Sequence, residues 1–204
     1  MSNLKYFLAG VLIMAITSCM QKDSELFLFV GSYAGATDPG INLFRFDVEK
    51  GTAVPVKSLS GIQDPSYLTV SRDGKFVYSV SETAVPDAKV CAYSFDKQTG
   101  TLSLLNEQHT DGSAPCYIWV DSKHRMAVTA NYNGGSISVF SISADGALLP
   151  AEVYAYEGGR PGPNARRSRI CIACTLLRMR TICMPTIWER TGFINTRSLL
   201  PIKA

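Results

Sequence analysis

The feature that most constrains the fold of this chain is an internal repeat with a period of about 50 residues. The segment Pro65–Val70 recurs as Pro115–Val120, and the strand-like segment Phe76–Val80 recurs as Met126–Ala130. Self-similarity at a fixed period is typical of repeat architectures, in which each unit packs against its neighbours. The repeat therefore predicts a modular fold built from similar units.

Each repeat unit has the pattern of four short strands separated by turns. Between Glu25 and Glu157 apolar and polar residues alternate, and Gly, Asp and Pro interrupt the alternation. A hairpin pattern, Phe46-Asp47 before Gly51, recurs as Phe95-Asp96 before Gly100. Four antiparallel strands in about 40–50 residues are typical of a β-propeller blade. We therefore predict an all-β fold, a partial β-propeller of about three four-stranded blades, with a β-sandwich of coincidental spacing as the alternative.

The N-terminus has the pattern of a bacterial export signal. Lys5 precedes the apolar run Tyr6–Ile16, which is too short to span a bilayer as a helix. The run ends in Ile16-Thr17-Ser18-Cys19, which resembles a lipobox. Residues 1–18 are therefore predicted to be a lipoprotein signal peptide, Cys19 the lipidated residue, and residues 19–25 a tether. We expect a cell-envelope protein that is lipid-anchored to a membrane, on the periplasmic or outer-membrane side; an ordinary secretory signal is the alternative.

Six short motifs between Leu26 and Arg167 carry a family resemblance. They are Leu28–Tyr33, Gly40-Ile41, Asp64–Leu68, Tyr78–Glu82, Ala130–Val139 and Gly162-Pro163-Asn164. These motifs resemble the opening blades of the seven-bladed lactonase family, which includes 6-phosphogluconolactonases. The resemblance implies a partial propeller over residues 26–167. It also implies hydrolysis of a sugar lactone, such as 6-phosphogluconolactone, with no metal and no other cofactor.

The same resemblance implies which residues form the site. Lactone hydrolysis needs a base to activate water and cationic or N–H donors for the developing oxyanion. In a propeller, such groups converge on the central channel from several blades. The residues that match the channel-facing segments are Glu157 and Arg167, predicted to be catalytic, and Glu82, Asn131, Tyr132 and Asn164, predicted to bind substrate. The alternative for each residue is a role in a turn or in blade packing.

The chain departs from the family pattern after Arg167. Residues 168–204 are rich in Arg and Cys, and they lack the Pro-His-x-His motif that the family has there. With suitable synonymous codons, a shifted reading frame of this segment encodes that motif and a propeller-like hairpin. We therefore interpret residues 168–204 as an irregular, frameshifted tail, and expect the truncated chain to be inactive and poorly soluble. The alternative is a genuine short form whose basic tail contacts anionic lipid or nucleic acid.

Charge and the remaining motifs narrow the range of partners. The net charge of +3 arises from the tail, so it gives no argument for a nucleic-acid partner. Cys171 and Cys174 with Cys183 have no second ligand pair, so no metal site is predicted. His109 and His124 are expected to be solvated loop residues. The predicted partners are a sugar lactone and, through the lipid, a membrane; the functional alternative is a non-enzymatic envelope lipoprotein that binds glycan or protein.

Overall fold

The computed structural model describes residues 25–155, 170–176, 183–189 and 192–194. Every regular element among these residues is a β-strand, and none of them forms a helix long and apolar enough to cross a membrane. In chain order the strands are β1 (Glu25–Gly31), β2 (Ile41–Asp47), β3 (Thr52–Leu59), β4 (Leu68–Val70), β5 (Phe76–Ser81), β6 (Lys89–Asp96), β7 (Thr101–His109), β8 (Pro115–Val120), β9 (Met126–Asn131), β10 (Ser136–Ser141), β11 (Glu152–Ala155), β12 (Ile170–Leu176), β13 (Cys183–Glu189) and β14 (Gly192–Ile194).

The strands form four antiparallel sheets whose members follow one another along the chain. The first sheet is β1-β2-β3, the second β4-β5-β6-β7, the third β8-β9-β10-β11 and the fourth β12-β13-β14. Short antiparallel sheets of up to four strands in sequence order are the blades of a propeller. The prediction of an all-β partial propeller is therefore confirmed.

Strand pairing shows which strands are equivalent in the three sheets that precede residue 156. The last residues of β1, β5 and β9 each pair with the first residue of the next strand. The repeated hairpin after Phe46-Asp47 and Phe95-Asp96 makes β2 equivalent to β6, and therefore β1 to β5, and the 50-residue repeat makes β5 equivalent to β9. Strands β4 and β8 occupy the position before β5 and β9. No described strand occupies that position in the first sheet. The prediction of four-stranded blades is thus right for the second and third sheets, whereas the first has three strands.

The core lies between the sheets, as the repeat requires. One cluster joins the first sheet to the second and includes Leu43, Val77 and Phe95, while another joins the second to the third and includes Tyr78 and Phe140. Val77 and Tyr78 are adjacent in β5 and point to opposite faces, because side chains alternate along a strand. Both faces of the second sheet are thus buried against neighbouring sheets.

The C-terminal segment is more regular than the sequence analysis predicted. Strand β12 pairs with β13 and β13 with β14, with a register shift between Cys171 and Ala173. Strand β12 also lies next to β8 and β9 of the third sheet. The prediction of an irregular segment was based on the absence of Gly and Asp turns. These segments are nevertheless apolar and rich in β-prone residues, which favours strands. The frameshift itself stays a prediction.

The turns between the first two strands of each four-stranded sheet are equivalent, as the repeat predicts. Gly74 and His124 occupy the same position and both have left-handed backbone conformations, with φ of 68° and 57°. His124 is half-buried, its ring is stacked on Phe76 at 4.8 Å, and its Nε2 lies 2.6 Å from Tyr78 Oη. The expectation of a solvated loop residue is therefore wrong for His124. His109 is exposed, as expected, but it is the last residue of β7 and not a loop residue.

Candidate functional site

The candidate site lies at the edge of the sheets where β1, β5 and β9 end. The residue after β5 is Glu82 and the residue after β9 is Tyr132, so the two occupy equivalent positions in neighbouring sheets. The backbone N–H of Glu82 donates to Asp64 O at 3.0 Å, and that of Tyr132 donates to Ala114 O at 2.7 Å. Each bond ties the end of the strand to the loop that leads into the preceding strand of its own sheet. The repeat thus places both predicted residues at one edge of the molecule.

A close backbone contact brings the first sheet up to Glu82. Gly31 ends β1, and a Cβ atom built there would lie 2.1 Å from Pro65 O. Only glycine permits that approach, because any side chain would displace the Pro65 carbonyl. The chain that follows Gly31 can therefore run beside the Asp64–Ser66 loop of the second sheet, which is how Tyr33 reaches Glu82.

The Glu82 carboxylate is held by hydroxyl groups from two different sheets. Tyr33 Oη donates to Glu82 Oε2 at 2.9 Å, and Ser66 Oγ donates a very short hydrogen bond to the same oxygen. The hydrogen bond to the Glu82 carboxylate raises the pKa of Tyr33 above its usual value, so Tyr33 remains a donor at neutral pH. Within the described residues Oε1 has no such donor and can accept a hydrogen bond from a ligand or from water.

Further polar and aromatic groups lie beside this carboxylate. The rings of Tyr67 and Tyr117 are in contact, with centroids 4.8 Å apart. Tyr67 precedes β4 and Tyr117 lies in β8, so this contact links the second and third sheets at the first strand of each. Cys116 is half-buried beside Tyr117, and its thiol contacts Ala130 O at 3.7 Å. The arrangement offers one carboxylate acceptor, hydroxyl donors and aromatic faces.

The structure places Asn131 inside the third sheet and not on the surface with Glu82. Asn131 is fully buried, and its Nδ2 donates to Ser136 Oγ at 3.0 Å and to Ser138 Oγ at 2.8 Å. Its Oδ1 accepts from Thr129 Oγ1 at 3.2 Å. Asn131 would therefore affect substrate binding only indirectly, by positioning the next residue, Tyr132, which is half-buried at the candidate site.

The other predicted site residues lie outside the described residues. These are Glu157, Asn164 and Arg167 of the predicted channel-facing segment and Cys19 of the predicted lipidation site. Among the residues that are described, no group of three or more His, Cys, Asp or Glu side chains is arranged to hold a metal ion. Burial raises the pKa of the Cys91 thiol to about 12, so this thiol stays protonated and unreactive.

Two residues of the site, Tyr33 and Ser66, were not predicted from the sequence to have a role there. Both lie in motifs that carry the family resemblance, in Leu28–Tyr33 and Asp64–Leu68. Nothing in either motif indicates that the two hydroxyls meet at one carboxylate from 16 and 49 residues away. The signal that could have found them is the 50-residue repeat, which places the ends of β1 and β5 at the same edge.

Comparison with known proteins gives a consistent assignment. Residues 27–170 match the family described as "Lactonase, 7-bladed beta-propeller". The chain is 33% identical over 141 residues to the 6-phosphogluconolactonase of Bacillus subtilis (strain 168), an alignment that covers 69% of this chain and 40% of that protein.

Solved structures agree with this match. A protein of Bacteroides fragilis NCTC 9343, provisionally assigned as a 6-phosphogluconolactonase, has a TM-score of 0.74 and 40% identity over 83% of this chain and 47% of its own. A similarly assigned protein of Bacteroides uniformis ATCC 8492 has a TM-score of 0.71 and 33% identity over 89% and 56%. The chain thus spans less than two thirds of the length of each of these relatives. Because the family match covers more than half of this sequence, the chain belongs to the seven-bladed β-propeller lactonase family.

Proposed function

We propose that this chain takes part in the hydrolysis of a sugar lactone, such as 6-phosphogluconolactone, and that Glu82 binds hydroxyl groups of the substrate. The observation that carries the proposal is the Glu82 carboxylate, which Tyr33 and Ser66 hold at the loop edge of a lactonase-family propeller. A carboxylate fixed by two donors is a preorganised acceptor, and acceptors of this kind orient sugar hydroxyls.

The chemistry divides between this cluster and the predicted residues of the segment after β11. Water adds to the lactone carbonyl, a base removes its proton, and the ring C–O bond breaks to give the hydroxy acid. We assign the base and the oxyanion contact to Glu157 and Arg167, and a substrate contact to Asn164, on the basis of the family resemblance. Strand β11 ends at Ala155, which pairs with Ser136, and Ser136 also pairs with Asn131 at the end of β9. The segment after β11 therefore starts at the edge where the candidate site lies, which supports that assignment.

The test is lactone hydrolysis by the purified protein and by two matched variants, and any turnover would overturn the expectation that the truncated chain is inactive. Glu82→Gln keeps the side-chain size and removes the charge, so we expect KM to rise about fivefold, because a hydrogen bond to a charged acceptor is stronger than one to a neutral acceptor by about 1 kcal/mol. Glu152→Gln is the control, since Glu152 also accepts from a tyrosine, Tyr154 at 2.7 Å, but lies on the exposed strand β11.

A binding measurement keeps the test decisive when turnover is slow. The probe is δ-gluconolactam, a stable ring amide with the shape of the lactone, and its binding is followed by NMR. We expect amide shifts at Ser66 and Glu82 that are weakened in Glu82→Gln and unchanged in Glu152→Gln. Absence of both hydrolysis and Glu82-dependent binding would refute the proposed function.

We further propose that the chain is anchored to a membrane of the cell envelope through a lipid on Cys19. The support is the order of residues at the N-terminus, a lysine, an apolar run and Ile16-Thr17-Ser18-Cys19. In bacteria fed an alkyne-labelled fatty acid, the parent protein is expected to be labelled and Cys19→Ser to be unlabelled. Cys116→Ser is the matched control and should retain the label; label retained by Cys19→Ser would contradict the anchor.

A further inference from the structure

A polar cavity lies between the first and second sheets, next to the Glu82 cluster but not lined by Tyr33, Ser66 or Glu82. Its volume is about 360 Å³, and pockets that hold small ligands measure about 300–1,000 Å³. Loops of the first sheet contribute Ala36, and the loop between β3 and β4 contributes Gly61. The second sheet contributes the loop before β6 and the adjoining ends of β6 and β7. The residues of the second sheet and its loops that line the cavity include Ser81, Thr83, Asp87, Lys89, Glu107 and His109.

An ion pair fixes the polar wall of this cavity. Lys89 Nζ lies 2.6 Å from Glu107 Oε2, across the β6–β7 pairing, and both side chains are about one third exposed. The Cys91 thiol donates a hydrogen bond to Glu107 Oε1 at 3.5 Å. The ammonium group has three N–H donors, and within the described residues one of them is used by Glu107. The other two N–H groups of Lys89 and the remaining lone pairs of the Glu107 carboxylate are available to a ligand.

A hydroxyl group of the cavity wall lacks a partner. Thr83 lines the cavity, and its Oγ1 is buried with no hydrogen-bond partner in the described part of the chain. Buried polar atoms are almost always hydrogen-bonded, and an exception calls for an explanation such as a bound ligand. The neighbouring Ser81 hydroxyl is already committed, because it donates to Gln63 O at 2.7 Å.

The charges of the wall indicate which class of ligand fits. The described lining residues include one cation, Lys89, and two carboxylates, Asp87 and Glu107. A phosphate or carboxylate ligand would meet two like charges, and such contacts are unfavourable. Hydroxyl groups both donate and accept, so a neutral molecule with several hydroxyls matches a wall that mixes ammonium, carboxylate and hydroxyl groups.

We propose that this cavity binds a neutral polyhydroxylated ligand, a sugar ring at the end of a glycan. Ligand hydroxyls accept from Lys89 Nζ, donate to the carboxylates of Asp87 and Glu107, and supply the partner that Thr83 Oγ1 lacks. The cavity adjoins the Glu82 cluster through Ser81 and Thr83 but is not lined by Tyr33, Ser66 or Glu82, and ligand binding in it does not depend on lactone hydrolysis. It gives the protein a means of holding carbohydrate at the same edge where the candidate active site lies.

The test is an NMR titration of the full chain with methyl glucoside and maltotriose as neutral probes and gluconate as an anionic probe of similar size. We expect saturable amide shifts at Asp87, Lys89 and Glu107 with the neutral sugars and weaker binding of gluconate. Thr83→Val is nearly isosteric and should weaken binding about fivefold, the effect of one lost hydrogen bond. Its melting temperature should not fall, because no bond within the protein is lost.

Two further variants complete the experiment. Glu107→Gln keeps the shape of the wall and should also weaken binding, whereas Thr52→Val, at the exposed start of β3, should have no effect. The proposal is overturned if no neutral sugar gives saturable shifts or if gluconate binds more tightly than methyl glucoside. It is also overturned if neither Thr83→Val nor Glu107→Gln changes the affinity.

Discussion

At the scale of single residues, Tyr78 shows how one side chain connects two sheets. Tyr78 is fully buried in β5, and its Oη donates to Gly146 O of the third sheet at 2.9 Å. Burial raises the pKa of Tyr78 well above its usual value, so the phenol keeps its proton. That single proton is used at Gly146, and His124 must therefore be the donor in the contact between its Nε2 and Tyr78 Oη.

We predict that Tyr78→Phe lowers the free energy of unfolding by about 2 kcal/mol, because it leaves the buried Gly146 carbonyl and the His124 N–H without partners. Urea denaturation of the purified chain measures the effect. Tyr154→Phe is the control, because Tyr154 is exposed on β11 and its loss should cost less than about 0.5 kcal/mol. Equal stability of Tyr78→Phe and the parent would show that water replaces both contacts.

At the scale of elements, the turn after β8 depends on one carboxylate. Asp121 accepts from the backbone N–H of Lys123 at 3.3 Å and of Met126 at 3.0 Å, and very closely from that of Arg125. Burial alone would raise the pKa of Asp121, but these donors outweigh it and hold the pKa below its usual value. In the equivalent turn of the second sheet, the Ser71 hydroxyl lowers the pKa of Asp73.

These lowered pKa values predict a loss of stability in acid. Because each folded pKa lies below the unfolded value of about 3.9, the stabilisation is complete above that value and is lost as the pH falls through the folded pKa. Urea denaturation between pH 7 and pH 3 should show this decline. Asp121→Asn should reduce the decline and cost about 1 kcal/mol at pH 7, whereas Asp38→Asn, on an exposed loop, should do neither. An unchanged acid profile in Asp121→Asn would assign the decline to other groups.

The strands of the second and third sheets were predictable because their signals are local and repeated. The apolar, β-prone run Phe76–Val80 and the glycine at 74 indicate a buried strand and a left-handed turn without reference to the rest of the molecule. His124 and Asn131 were not predictable in this way, since their roles depend on what packs over them. His124 lies on a turn, which predicts a solvated side chain, but Phe76 and Tyr78 of the adjacent sheet pack against it. Asn131 lies at a strand end, which predicts a channel-facing side chain, but it is hydrogen-bonded to Ser136 and Ser138 inside its own sheet.

At the scale of the whole molecule, the two faces of β1 have different environments. Phe27 and Phe29 point toward the second sheet, where their rings lie 5.1 and 4.9 Å from that of Phe95 in edge-to-face contacts. The alternate residues Leu26, Leu28 and Val30 are 55%, 42% and 41% exposed. Blades bury both faces only when a neighbour stacks on each side, so we expect this exposed apolar face to promote self-association of the chain.

Adjacent substitutions in β1 separate folding from solubility. Phe29→Thr removes a ring from the contact with Phe95 and should lower the free energy of unfolding by about 2 kcal/mol. Leu28→Thr should change that free energy by no more than about 0.5 kcal/mol, and sedimentation velocity should show less self-association than in the parent. Both residues lie in one strand and both become threonine, but only Phe29 packs against Phe95, whereas Leu28 is on the exposed face. If Leu28→Thr is as destabilising as Phe29→Thr, a further packing surface covers this face in the folded protein, and the first sheet is then enclosed on both sides like the second.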